Sequence, residues 1–125
     1  MLELRGEQEE AERWYRDGAA AGDGSAMANL GYLLVQRGEQ EKAERWYRDG
    51  ANAGDDTAMA NLGEVLEKRG EIAEAERWYR AGVNAGNGPA MNNLANLLRR
   101  RGDSEEAKRL QRAAVKAGQS RPTDK

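Results

Sequence analysis

Trp14, Trp46 and Trp78 stand 32 residues apart, and a tyrosine follows each of them, at Tyr15, Tyr47 and Tyr79. A fixed interval of this kind constrains the fold more than any local pattern. Each copy must adopt the same local structure and bury its apolar face against the next. Residues 7–38 and 39–70 agree at 24 of 32 positions. Gly6, Gly38, Gly70 and Gly102 keep the same register, as do Ala11, Ala43, Ala75 and Ala107. So do Leu30, Leu62 and Leu94, and Asn29, Asn61 and Asn93. Agreement this close also admits a recent duplication, or a consensus design with no evolved ligand.

Within each copy the apolar spacing is helical. Ala43, Trp46, Tyr47, Gly50 and Ala51 fall on one stripe, and Met27, Leu30, Gly31 and Leu34 on another. Gly38 after Arg37 reads as a helix C-terminus, Gly54 as the end of the next helix, and Pro89 as a first-turn residue. These signals predict first-type helices at about 25–37, 57–69 and 89–101, and second-type helices at about 8–21, 40–53, 72–85 and 104–117. The chain then reads as an all-α repeat domain over 1–118, with repeats at 25–53, 57–85 and 89–117 and a polar tail at 119–125. That makes seven helices and about 3.5 repeats.

Glycine inside a helix costs about 1 kcal/mol relative to alanine. Gly31 and Gly63, and Gly18, Gly50 and Gly82, accept that cost at matching positions, so helices are expected to approach closely there. The Trp-Tyr pair then reads as the filling beside those glycines, with Trp46→Ala expected to cost about 3–5 kcal/mol as a core truncation. A carbohydrate-stacking ladder is the other use of such a pair, but the pair shares its stripe with alanine and glycine.

Composition excludes several function classes. Hydrophobic residues make up 38% and are rich in alanine, which suits a thin two-layer core. Cysteine and histidine are both absent, which removes disulfides, thiolate metal sites and the commonest general base and zinc ligand. Serine occurs only at 25, 104 and 120, carboxylates are scattered, and no phosphate-cradling glycine loop appears. An enzyme is therefore not expected, nor a cofactor or metal. No apolar run reaches the 18–20 residues or so that cross a bilayer, and residues 1–10 lack a signal peptide's apolar stretch. The expected setting is cytoplasmic, away from membranes.

The run Ala26-Met27-Ala28-Asn29-Leu30-Gly31, followed by Leu34, Gly38, Ala43, Trp46-Tyr47, Ala51 and Gly54, resembles a tetratricopeptide-type helical repeat. Its Trp-Tyr pair and closing glycine are more similar to the Sel-one-like branch of that superfamily. The resemblance covers roughly residues 2–118, with two departures. Leu34, Leu66 and Leu98 stand where tyrosine is common, and Leu34 to Ala43 is a shorter passage than Sel-one-like units usually carry. The resemblance implies a right-handed α-solenoid whose concave groove is lined by the first helix of each pair. It also implies a scaffold that binds protein or peptide segments.

A ligand surface should diverge between copies where the packing surface repeats. The divergent columns are Ala28/Ala60/Asn92, Tyr32/Glu64/Asn96, Val35/Glu67/Arg99 and Gln36/Lys68/Arg100, at spacings that share a helical face. Neutral drift on a solvated face would look the same. Asn29, Asn61 and Asn93 add a polar column inside helices, where asparagine is a mediocre helix former. In the resembled family the matching asparagine faces the groove and bonds a ligand backbone; the alternative is a helix-to-helix bond. The lysine that the family's chaperone-tail clamp carries one turn earlier is replaced by Ser25, Thr57 and Pro89.

The pairs Glu12/Arg16, Glu44/Arg48 and Glu76/Arg80 read as i,i+4 surface pairs. Residues 1–96 carry 11 basic and 18 acidic side chains, and residues 97–125 carry 9 basic and 4 acidic. Arg99 and Arg100 therefore point to an acidic partner segment. Head-to-tail self-assembly is the competing function. Leu2–Gly6 match only the last turn of a first-type helix, which would leave apolar surface open beside Trp14 and Tyr15 and favour a homo-oligomer through that end. RNA binding ranks third. Its only support is Arg99–Arg101 with Lys108, Arg109 and Arg112, a cluster without interleaved aromatics.

Overall fold

The computed structural model describes residues 2–119, with side chains from 6 to 116. Seven helices fill that span: α1 (Leu2–Ala20), α2 (Gly24–Gln36), α3 (Gln40–Asn52), α4 (Asp56–Lys68), α5 (Ile72–Asn84), α6 (Gly88–Arg101) and α7 (Ser104–Gln119). No strand occurs among the described residues. The protein has an all-α, helix-turn-helix repeat fold.

The 32-residue period is two half-periods of 16. Gly22, Gly38, Gly54, Gly70, Gly86 and Gly102 all have left-handed backbone, with φ from 80° to 98°. Each follows a helix end, where an L side chain would strain the same conformation. At Gly38 its own N–H donates to the Val35 carbonyl and the Glu39 N–H to the Leu34 carbonyl, both at 2.9 Å. The same pair of bonds recurs at the other five glycines, so the ends of α1 to α6 all find donors for closing carbonyls.

The helix starts are not equivalent. Ahead of the first-type helices, Asp23 accepts from the Ser25 N–H at 3.0 Å, Asp55 from the Ala58 N–H at 2.9 Å and Asn87 from the Ala90 N–H at 2.8 Å. Glu39 and Glu71, ahead of α3 and α5, make no such cap. A glutamate side chain is one methylene too long for the short cap geometry.

One expected boundary is wrong. The second-type helix placed at about 8–21 starts at Leu2 and runs through Gly6, which is not among the left-handed glycines. At Gly38 the reversal is rewarded by α3 packing back on α2. Around Gly6 the described residues form one unbroken helix, Leu2–Ala20, with no helix pair there for a reversal to pack together. The side chains of Leu2 and Leu4 lie outside those described. So do residues 120–125 of the expected tail, and α7 itself extends to Gln119.

The contacts divide into two compact units, residues 1–62 and 63–125, with the boundary inside α4. In the first unit α2 lies against both α1 and α3. Its core holds Leu30, Leu34 and Leu62 with Ala19, Ala26, Ala43, Ala51 and Ala58. The Tyr47 ring lies over Gly31, where a Cβ would fall 2.6 Å from Cε1. In the second unit α6 lies against α5 and α7, around Leu66, Leu94, Leu97 and Leu98. Tyr79 covers Gly63 in the same way and is fully buried.

The paired filling by indole and phenol is therefore corrected. The Tyr47 and Tyr79 phenols enter the core, whereas Tyr15, Trp46 and Trp78 are half-buried and Trp14 is 68% exposed. Neighbouring helical residues point about 100° apart, so both cannot follow one narrow stripe inward.

Candidate partner-binding faces

A helix gripped on two sides has little open circumference. In α2, Ala26, Ala28, Leu30, Gly31 and Leu34 are buried. What remains open is the row Ser25, Asn29, Tyr32 and Gln36. Ala28 and Ala60 were expected to share this face and do not. Both are buried, because the position lies on the stripe with Gly31 that meets the tyrosine helix; only Asn92 of that column is exposed.

In the first unit Tyr32 is 58% exposed. Asn29 is exposed and Asn61 half-buried, with no hydrogen-bond partner for either side chain among the described residues. Asn29 also borders a cleft of about 450 Å³ shared with Trp14, Tyr15, Asp17 and Ser25. The open apolar surface beside Trp14 and Tyr15 was expected; that it forms a cleft with Ser25 and Asn29 of α2 was not.

In the second unit the first-type positions are brought into contact with one another. Asn93 Nδ2 donates to Glu64 Oε2 at 3.0 Å, a bond between α6 and α4. Arg99 Nη1 donates to Asn96 Oδ1 at 2.7 Å, and Arg100 forms an ion pair with Glu67. Lys68 is exposed. Glu67, from the divergent column Val35/Glu67/Arg99, is the hub, because it also accepts from the Tyr79 hydroxyl at 2.7 Å. Burial and that carboxylate push the Tyr79 hydroxyl well above the ordinary tyrosine range.

Ion pairs frame these faces. The i,i+4 pairs Glu12–Arg16, Glu44–Arg48 and Glu76–Arg80 all form. Two of these glutamates also reach the next first-type helix: Glu12 meets Arg37 at 2.7 Å, and Glu76 meets Arg101 at 2.6 Å. Arg80 further holds Glu106 of α7 at 2.8 Å. The Arg37 guanidinium holds the Glu12 carboxyl below its ordinary value, and Arg101 does the same for Glu76. Among the described residues no three potential ligands converge to hold a metal ion, and no helix is long and apolar enough to cross a membrane.

Two tetratricopeptide-repeat family profiles match the chain, one over residues 24–51 and 90–119, the other over 57–81. Among solved structures, the chain is similar to a Sel1 repeat protein from Oxalobacter formigenes, with 31% identity and a TM-score of 0.74. The match covers 87% of this chain and 50% of that one, so the chain spans half the length of that protein. No curated protein matches it. With its repeats, its closing glycines and its Trp-Tyr pair in the same register, the chain belongs to the tetratricopeptide repeat family, in the Sel1-like form.

Proposed function

We propose that this protein is a protein- or peptide-binding scaffold that meets its partner through the open faces of its first-type helices. The family is generally one of non-enzymatic interaction scaffolds. The observation that carries the reading is Tyr32. It is a large aromatic left 58% exposed, at a position where the other copies hold Glu64 and Asn96. Packing demands no particular residue there, whereas the leucines two positions to either side are identical in all three copies and buried. Exposed aromatics flanked by amides are typical anchors for peptide recognition.

Selection from a displayed random-peptide library tests the proposal. Selected peptides should bind Tyr32→Ala and Asn29→Ala, or Asn96→Ala in the second unit, at least severalfold more weakly than the parent, with unchanged circular dichroism. Peptides that bind all these variants equally would place recognition elsewhere. Self-association is a second reading, favoured by Trp14. An indole 68% exposed beside a 450 Å³ cleft is a surface that a second copy can cover. Sedimentation velocity of the parent and of Trp14→Ala separates the two readings.

A further inference from the structure

We infer that the cationic end of α6 receives an acidic peptide segment carrying an apolar side chain, and that Glu67 is the chain's own competitor for that place. The inference rests on the partner-binding reading and narrows it to one partner class. Arg99, Arg100 and Arg101 are consecutive but differently engaged. Arg101 is neutralised by Glu76 at 2.6 Å and Asp103 at 3.1 Å, contacts that tie α5 and the following turn to α6. Arg99 donates only to the neutral Asn96 amide and has no carboxylate partner among the described residues. Arg100 is 68% exposed yet paired with Glu67, whose side chain is only 17% exposed. The buried Tyr79 hydroxyl holds Glu67 from below.

The surroundings define what fits. An open depression of about 500 Å³ is lined by Asn96, Arg99 and Arg100. On the other side of Arg100 a recess of about 220 Å³ is floored by Ile72 and Leu97, with Ile72 40% exposed. A ligand carboxylate can bridge the two guanidiniums, each a planar fork of donors, while an aliphatic side chain enters the recess. Nothing aromatic lines either hollow to stack a base. Glu67 occupies part of the place a ligand carboxylate needs. Its column holds Val35 and Arg99 in the other copies, so the repeat does not require an acid there.

The test uses the whole chain and a fluorescein-labelled hexapeptide with one leucine among glutamates. Companion probes replace the glutamates by glutamine or the leucine by glycine, and oligouridylate serves as an RNA competitor. Glu67→Gln keeps an acceptor for Tyr79 but removes the competing charge. It should bind the acidic peptide about three- to fivefold tighter, the scale of a partly exposed ion pair. The double variant Arg99→Ala/Arg100→Ala should lose most binding, and the parent's affinity should fall as salt rises. Unchanged or weaker binding by Glu67→Gln would overturn the proposal, provided circular dichroism confirms its fold. So would equal binding of the glutamine or glycine peptide, or displacement by oligouridylate at physiological salt. Uncharged peptides from the library that Tyr32→Ala weakens would sink this inference while leaving the scaffold reading intact.

Discussion

An indole and a phenol sit side by side in α1, α3 and α5, and in α3 and α5 only the phenol is core. Tyr47 and Tyr79 lie over Gly31 and Gly63, while the tryptophans beside them stay partly in water. Tyr47→Ala should therefore cost about 3–5 kcal/mol, and Trp46→Ala clearly less, read from urea denaturation midpoints. Equal losses would return the tryptophan to the core. Gly31→Ala should destabilise although alanine is the better helix former, since its Cβ would lie 2.6 Å from the Tyr47 ring. The repeat made the stripe legible, but a stripe is defined only to about one residue. Which of two adjacent aromatics turns inward depends on where the neighbouring helix lies. The same limit hid the burial of Ala28 and the pairing of Glu67 with Arg100, 33 residues away; a helix-to-helix bond was one of two readings of the asparagine column, and Asn93 makes it, to Glu64.

Individual helices are set by their ends as much as by their stripes. A left-handed glycine closes one helix and, ahead of each first-type helix, an aspartate or asparagine opens the next immediately afterwards. Asp55→Ala should cost about 1 kcal/mol, and Glu39→Ala close to nothing, because only the former removes a cap. Thermal unfolding of the two variants side by side checks this; equal shifts would mean that Asp55 acts through something other than its cap. The helices themselves were legible from apolar spacing and glycine. Gly6 shows where that signal fails. It repeats the motif of Gly38, yet helix continues through it: at Gly38 α3 turns back on α2, and no such pair forms around Gly6 among the described residues. The cap column at 23, 55 and 87 was present in the sequence and went unread.

Across the whole molecule, charge ties successive helices within each unit, and this makes stability depend on pH with a definite sign. Glu12 in the first unit, and Glu76 and Glu106 in the second, each have a carboxyl held below the ordinary value of 4.5, chiefly by Arg37, Arg101 and Arg80 respectively. A carboxyl that ionises more readily folded than unfolded stabilises the fold fully above its unfolded value. That contribution is lost as pH falls from about 4.5 through the folded value. Below the isoelectric point near 5.4 the chain also becomes net positive, so protonation leaves the arginines repelling one another while their partners disappear. Urea midpoints of the parent should thus hold near neutral pH and drop between about pH 5 and 3. Glu12→Gln and Glu76→Gln should lie below the parent at pH 7 and converge with it at pH 3, and the gap at pH 7 should narrow in high salt, because both pairs are partly exposed. Curves for parent and variants that stay parallel down to pH 3 would show that these pairs sit on the fold without holding it.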